Sequence, residues 1–355
     1  MTSPRTREYR RRATRAGLVY VTDGSPGITR RRAGGGWTYF APDGHRIRDR
    51  ERRREIDKLA IPPAWTDVWI CPDPRGHIQA TARDARGRKQ YRYHAEYREA
   101  CDRSKFKRML EFSEVLPRLR ERIERDLKAP NLSRRQVLAT VVRLLDRTLI
   151  RVGNDEYARE NRSFGHTTLR QKHDEVEGWS VRFSFRGKSG VEHDVSLVDG
   201  RVAKIIQRCQ DLPGQELFQY VDAHGRRMGV DSDNVNDYVR DAAGRDFSAK
   251  DFRTWGGTMH AALTLAQMGP AATVTQAKRN VLAALDSVAE KLGNTRTVCR
   301  KYYVHPAVIE AYMEGRMVDG IAETNGAPHP RLHRGAALRR DEVAVLQFLQ
   351  DVVRD

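Results

Sequence analysis

The chain has 355 residues and a formal net charge of +18, from 65 lysines and arginines against 47 aspartates and glutamates. A hydrophobic content of 39% is enough to build cores, which excludes a disordered polycation. The positive charge favours a polyanionic partner, with DNA or RNA as the first candidate, although a ribosome-associated or membrane-surface protein would share it.

No apolar run approaches the length of a membrane span, and the Arg-rich first residues lack the apolar core of a signal peptide. We therefore expect a cytoplasmic, nucleoid-associated protein without a membrane partner. The cysteines are far apart and show no Cys-x-x-Cys spacing, which indicates reduced thiols and argues against a zinc site. They are Cys71, Cys101, Cys209 and Cys299.

The first hundred residues have the pattern of a β-rich domain with basic turns. Strand character is found in four segments: Leu18–Thr22, Trp37–Phe40, Val68–Ile70 and His77–Thr81. A short charged helix is predicted from Arg46 to Leu59, closed by the prolines after Ile61. From about His94 the pattern becomes helical, so we expect residues 1–100 to form one domain.

Residues 101–320 are predicted to form a mainly helical domain that contains a small β-hairpin. A capping-box pattern at Ser133–Gln136 begins one helix, and its apolar stripe ends just before Arg151. Alternating residues from Trp179 to Arg186 predict a strand. A Gly-Lys-Ser-Gly turn then leads to a partner strand through Val191, His193, Val195 and Leu197, which places Lys188 at the hairpin tip.

Three further helices follow in this domain, ended by glycine or preceded by a capping residue. They are predicted over Ser232–Ala243, from Ser248 to Met268, and over Thr273–Leu292. The segment 321–355 is predicted to hold a linker, Thr324–Gly335, and an amphipathic helix, Asp341–Val353. The expected fold class is therefore α+β.

A tyrosine, two arginines and a lysine in the second domain form a constellation that can break a phosphodiester without a metal. A phenol that attacks phosphorus needs positive charge on the non-bridging oxygens and a proton donor for the leaving sugar oxygen. Tyr303 could supply the nucleophile, Arg151 and Arg253 the positive charge, and Lys188 the proton.

The order and local contexts of these residues resemble the type IB DNA topoisomerases, specifically the short poxvirus-like and bacterial branch. The closest local match in the catalytic half is Ser163–His173, and the N-terminal half contributes Gly87-Arg-Lys-Gln-Tyr91; matches run from about residue 15 to 310. The resemblance implies a monomer whose two domains form a clamp around duplex DNA. It also implies no cofactor, neither ATP nor a metal.

The resemblance also assigns roles in the catalytic half. The family has a histidine nine positions before its nucleophile, and that register selects Tyr303 rather than Tyr302, with Asn294 at the histidine position. An amide can donate a hydrogen bond to phosphate but cannot act as a general acid. Arg151 and Arg253 correspond to the catalytic arginines, Lys188 to the general acid, and Lys250 and Tyr157 to phosphate contacts.

In the N-terminal half, Gln90, Tyr91 and Tyr93 coincide with residues that touch base edges and backbone in the poxvirus-like enzymes. Glutamine can read adenine-type edges, and tyrosines can pack on sugars or thymine methyl groups. Arg88 and Lys89 would bind phosphates without regard to sequence.

Each residue also has an ordinary structural interpretation. Arg151 could neutralise a helix C-terminus, Arg253 could form a surface ion pair with Asp251 or Asp246, and Lys188 could be solvated. Tyr302 and Tyr303 could be ordinary amphipathic side chains, and Tyr91 or Tyr93 could be a core residue of a strand. For the whole protein, a tyrosine recombinase or integrase shares the chemistry, and a non-catalytic architectural DNA-binding factor would need only the charge.

Overall fold

The computed structural model describes residues 4–316 and 338–354, apart from residues 86 and 223 and a few helical side chains. The chain forms two compact units, Met1–Lys107 and Arg108–Asp355. The division lies inside a long helix, Ala95–Asp126. The predicted linker, Thr324–Gly335, lies outside the described residues.

The first unit is built on an antiparallel five-stranded sheet with the strand order β2-β1-β3-β4-β5. Its strands are β1 (Ile28–Ala33), β2 (Gly36–Phe40), β3 (Thr66–Ile70), β4 (Ile78–Arg83) and β5 (Lys89–Tyr93). Its helices are α1 (Pro4–Arg15), α2 (Arg50–Lys58) and the start of α3 (Ala95–Asp126). The strand β5 is therefore an edge strand.

The predicted strands around Trp37–Phe40, Val68–Ile70 and His77–Thr81 are confirmed as β2, β3 and β4, whereas the strand Leu18–Thr22 is wrong. Only Val19 pairs, through an isolated bridge to Gly76. The backbone N–H of Val21 donates to Nδ1 of His77 at 3.1 Å, so a side chain takes the place of a ladder partner.

A small apolar core fixes α2 on this sheet. Ile56 is 2% exposed and belongs to the same cluster as Ile28 and Ile70. The helix begins at Arg50, later than the predicted Arg46, because the Asp49 carboxylate accepts the N–H of Glu51 at 2.9 Å and caps it there.

The second unit is mainly helical, and its elements continue the numbering of the first. The helices are α4 (Arg134–Thr148), α5 (Asp155–Asn161), α6 (Gly200–Gln210), α7 (Ser232–Ala243), α8 (Ala249–Met268), α9 (Val274–Leu292), α10 (Arg296–Tyr302), α11 (Pro306–Met313) and α12 (Arg340–Arg354). A three-stranded antiparallel sheet contains β6 (Asp174–Glu177), β7 (Ser180–Arg186) and β8 (Glu192–Val198), and a hairpin pairs β9 (Gln219–Val221) with β10 (Arg227–Gly229). Together with the β-rich first unit, this confirms the α+β class.

Helix ends in this unit follow the predicted signals with one exception. The capping box of α8 is present, since the Asp251 carboxylate accepts the N–H of Ser248 at 2.8 Å. The one predicted for α4 is wrong: Ser133 makes no side-chain cap, and Gln136 donates instead to the carbonyl of Leu127 at 3.1 Å. Gln136 is buried, so its amide satisfies a backbone group that water cannot reach.

The terminal helix α12 is docked on the second unit by a buried ionic cluster. Glu342 is fully buried and accepts hydrogen bonds from Arg120 at 2.6 and 2.8 Å and from the indole of Trp255 at 3.2 Å. Arg120 also pairs with Asp146 of α4 at 2.9 Å. Trp255 lies on α8 only two residues after Arg253, so the cluster supports the helix that carries a predicted catalytic arginine.

None of the helices in the described ranges combines the length and the apolar character that crossing a bilayer requires.

Candidate active site

Arg253 is buried at the centre of the candidate site. Its guanidinium is 4% exposed, donates to the carbonyl of Leu149, and donates to the carbonyl of Leu292 at 2.8 Å. The surface ion pair with Asp251 or Asp246 is therefore wrong. Arg108 binds the Asp251 carboxylate at 2.8 Å and the carbonyl of Asp246, which leaves Arg253 directed into the unit.

Arg151 meets the same end of helix α9. It donates to the carbonyl of Gly293 at 3.1 Å and to that of Leu292 at 3.4 Å. The helix-end interpretation of Arg151 is thus partly confirmed, but for α9 rather than for the helix that precedes it. The negative end of the α9 dipole and its last carbonyls hold two guanidinium groups side by side.

Asn294 follows directly and is oriented by Arg151. The guanidinium donates to Asn294 Oδ1 at 2.7 Å. Because a guanidinium has only donors, the amide must present its oxygen to Arg151 and its nitrogen elsewhere. Among the described residues, neither Asn294 Nδ2 nor Arg253 Nε has a hydrogen-bond acceptor, although both atoms are buried. Two donors are therefore left without a partner beside the α9 terminus.

Tyr303 ends helix α10 and lies against Arg253. The guanidinium carbon is 5.2 Å from the centre of the tyrosine ring. Helix α8 approaches the tyrosine closely because it has glycine there: a Cβ on Gly257 would lie 2.8 Å from the Tyr303 carbonyl oxygen. Thr258 donates to the same carbonyl at 3.2 Å. The neighbouring Tyr302 is 40% exposed, and its ring lies 5.4 Å from the ammonium of Lys301 rather than against a buried guanidinium.

Burial shapes the charges at this site. Desolvation, followed by repulsion from Arg151, lowers the pKa of Arg253 to about 10. Desolvation also lowers the pKa of Arg151. Both groups remain protonated at neutral pH. The buried His166, whose backbone N–H donates to the carbonyl of Arg151 at 2.9 Å, has its pKa lowered to about 3 by burial and by Arg253, so it adds no charge.

Lys188 lies at the tip of the β7–β8 hairpin, as predicted, and its side chain is exposed. The tip is a short 3-10 turn, Lys188–Gly190, in which Ser189 adopts a left-handed conformation with φ of 63°. The residue before the turn, Gly187, packs against the ring of His193.

The two predicted phosphate contacts of the catalytic half, Lys250 and Tyr157, lie on different helices. Lys250 is exposed in the first turn of α8, where the N-terminal end of the helix also favours an anion. Tyr157 lies in α5, and its side chain is outside the described part of the structure.

In the first unit, the predicted DNA-contacting polar residues are held by carboxylates. Arg88 donates its backbone N–H to Asp84 at 3.0 Å and its Nε at 2.9 Å, and Gln90 Nε2 donates to Asp84 at 2.9 Å. Lys89 lies 2.5 Å from Asp23. Burial would raise the pKa of Asp23, but the hydrogen bonds from Lys89 and Thr81, together with the charge of Lys89, outweigh it and lower the pKa.

Tyr91 and Tyr93 are 43% and 38% exposed, so the interpretation of one of them as a core residue is wrong. Their rings stack at 5.8 Å, and Tyr93 stacks on Tyr97 at 5.6 Å. Alternation along β5 puts Gln90 on the opposite face from both tyrosines. The three residues therefore share an edge strand rather than a face.

Comparisons with known proteins decide between the alternatives left by the sequence. The family profile described as "Eukaryotic DNA topoisomerase I, catalytic core" matches residues 94–320, and that described as "Bacterial DNA topoisomerase IB, N-terminal domain" matches residues 36–84. A protein of Acanthamoeba polyphaga mimivirus named "DNA topoisomerase 1B" is 32% identical over 293 residues, which cover 81% of this chain and 87% of the relative.

The chain belongs to the type IB DNA topoisomerases. More distant relatives include the "DNA topoisomerase I" of monkeypox virus, 22% identical, and the "DNA topoisomerase 1B" of vaccinia virus (strain Copenhagen), 23% identical. Each alignment covers 76% of this chain and 84% of the relative. The enzyme is thus a DNA-binding isomerase of the topoisomerase type, and neither the recombinase nor the architectural alternative is needed.

His193, which the sequence pattern indicates only as a strand residue, also lies beside the groups of the candidate site. It is 9% exposed and packs between the hairpin turn and the end of α9. The available signal was a titratable side chain at an inward-facing position of β8, where the other alternating residues are apolar.

Proposed function

We propose that this topoisomerase relaxes supercoiled duplex DNA through a covalent link between Tyr303 and the 3′ end of one cleaved strand. The phenol loses its proton to solvent as its oxygen bonds to phosphorus. The bond to the 5′ oxygen breaks, and Lys188, with help from Arg151, protonates that oxygen. After the nicked duplex has swivelled, the 5′-hydroxyl attacks the phosphotyrosine and regenerates both partners.

The observation that carries this proposal is a pair of buried donors without an acceptor. They are Nε of Arg253, whose guanidinium lies over the ring of Tyr303, and Nδ2 of Asn294, whose amide is oriented by Arg151. Buried donors cost free energy unless an acceptor arrives, and a phosphate has non-bridging oxygens to offer. Donors already aimed at the developing charge stabilise the transition state without reorganisation. Two guanidinium groups and an amide thus support the pentacoordinate phosphorus.

We further infer that the enzyme acts as a monomer that encloses duplex DNA with its two domains, in a cytoplasmic, nucleoid-associated setting. Neither ATP nor a metal enters the proposed cycle, because the bond energy of the broken phosphodiester is kept in the phosphotyrosine. The excess of positive charge supports a polyanionic partner. Binding should therefore weaken steeply as salt concentration rises.

Relaxation of a supercoiled plasmid in EDTA without ATP tests the proposal. The wild type should relax the plasmid, Tyr303→Phe should not, and Tyr302→Phe serves as the matched control because it removes a hydroxyl from the adjacent, exposed ring. Relaxation by Tyr303→Phe at the wild-type rate would overturn the assignment of the nucleophile. A strict requirement for ATP or a metal would overturn the proposed cycle.

A further inference from the structure

His193 lies where three parts of the candidate site meet. It pairs with Phe185 across the β7–β8 hairpin, and the two rings stack at 4.9 Å with an interplanar angle of 14°. The imidazole therefore has a fixed orientation on the inner face of the hairpin whose tip carries Lys188.

Two glycines, Gly187 and Gly293, pack closely against the Nε2 edge of this ring. A Cβ on Gly187 would lie 2.6 Å from His193 Cδ2 and Nε2, and a Cβ on Gly293 would lie 2.5 Å from Cε1 and 2.7 Å from Nε2. Real Cβ contacts are not that short, so neither position has room for a larger residue while the ring stays in place. Gly187 has φ of −93°, so close approach, not backbone conformation, is what requires glycine there.

Each glycine adjoins a group of the proposed reaction. Gly187 immediately precedes Lys188, while Gly293 precedes Asn294 and offers its carbonyl to Arg151 at 3.1 Å. The ring of His193 is thus a packed spacer between the hairpin of the general acid and the α9 terminus, where the cations meet. Desolvation, with Arg151 and Arg253, lowers the pKa of His193, so the spacer is neutral at neutral pH.

We propose that His193 is a positioning residue: it holds the Lys188 hairpin against the end of α9, so that the ammonium reaches the leaving 5′ oxygen. The inference rests on the proposed role of Lys188 as proton donor. A displacement of about 1 Å can cost about 100-fold in rate, because proton transfer requires hydrogen-bond contact.

The test compares two DNA substrates that differ in the leaving atom. In one, the bridging 5′ atom at the cleavage site is oxygen. In the other it is sulfur, which leaves as a thiolate of much lower pKa and needs no proton donor. Single-turnover cleavage is measured for wild type, His193→Ala, Lys188→Ala and the double variant, with thermal unfolding recorded for each.

We expect His193→Ala to slow cleavage of the oxygen substrate by about 10- to 100-fold and that of the sulfur substrate by less than about 3-fold, as for Lys188→Ala. The double variant should be no slower than Lys188→Ala alone. An equal loss on both substrates, or no loss on either, would overturn the proposal. If Tyr303→Phe formed the adduct, or wild type cleaved neither substrate, the proposed function itself would fail instead.

Gly187→Ala provides a second variant that keeps the histidine. Its added methyl group should displace the ring. Cleavage of the oxygen substrate should then slow as in His193→Ala, and cleavage of the sulfur substrate should stay near the wild-type rate. The combination with His193→Ala should be no slower than the slower single variant, since both changes remove the same contact. Additive losses in that combination would contradict a shared contact.

Discussion

The guanidinium of Arg151 donates to Oδ1 of Asn294 at 2.7 Å, and this bond determines which end of the amide faces a substrate. The oxygen is occupied, so the nitrogen is left to donate. An asparagine at this position therefore stabilises charge through a hydrogen bond and has no proton to give. In the proposed cycle the proton for the leaving oxygen comes from Lys188, with help from Arg151.

Replacement of Asn294 should test that division of labour. We expect Asn294→Ala to lower the single-turnover cleavage rate by about 100-fold, the usual cost of losing one donor to an anionic transition state. Asn294→Asp should lose more, because a carboxylate would repel the phosphate and neutralise Arg151. Sulfur in the leaving position should rescue neither variant. Rescue would indicate that Asn294 takes part in proton transfer after all.

Arg253→Lys should be nearly as damaging as Arg253→Ala despite the conserved charge. The guanidinium binds the carbonyls of Leu149 and Leu292 and lies over the ring of Tyr303, and a single ammonium cannot make these contacts together. We expect a loss of about 100-fold or more in cleavage rate. The matched control is Arg245→Lys on the surface, where an exposed pair with Glu114 at 3.4 Å should tolerate the change. Equal rates for the two variants would argue against a catalytic Arg253.

The buried carboxylate of Glu342 should make the free energy of unfolding depend on pH in the acid range. Burial would raise its pKa, but Arg120 and Arg339 outweigh that and lower it to about 2. A carboxylate whose pKa is depressed on folding stabilises the fold above its unfolded pKa, and this stability is lost as pH falls towards the folded pKa. The contribution of about 3 kcal/mol should disappear between about pH 4.5 and 2.

Unfolding experiments on variants check this cluster. Glu342→Ala should lower the free energy of unfolding by about 3 kcal/mol, because it leaves buried guanidinium groups without a counter-charge. Glu310→Ala, on the exposed face of α11, should change it by less than about 0.5 kcal/mol. An unchanged midpoint for Glu342→Ala would contradict the docking of α12 on the second unit.

Asp84 should restrain DNA binding while fixing the orientation of Gln90. Asp84→Asn removes the counter-charge of Arg88, so non-specific affinity should rise and the salt dependence should steepen by about one phosphate contact. Discrimination at the base that Gln90 reads should fall, because asparagine has one acceptor oxygen where Asp84 uses two, one for the backbone N–H of Arg88 and one for Gln90. Asp222→Asn is a matched control: Asp222 holds Arg226 through the same backbone and side-chain bonds, each of 2.9 Å. Equal effects of both substitutions would indicate that only net charge matters.

Residue type and spacing were enough to propose candidate site residues, whereas their contacts depend on the fold. Periodicity and caps located α7, α8 and α9, where each apolar stripe ends at a glycine. Strand β1 was missed because its arginines conceal the alternation, and only Ile28 of its six residues is buried. Tertiary contact determined the rest: no local pattern shows that Arg151 and Arg253 share the carbonyl of Leu292.

The most direct test of the proposed cycle is to identify the residue that carries the DNA. The enzyme is incubated with a duplex whose downstream strand fragment dissociates after cleavage, denatured and digested, and the DNA-linked peptide is sequenced by mass spectrometry. We predict a phosphodiester from the oxygen of Tyr303 to the 3′ end of the cleaved strand, formed by wild type and Tyr302→Phe but not by Tyr303→Phe. A link to Tyr302 or to another residue, or to a 5′ end, would contradict the account.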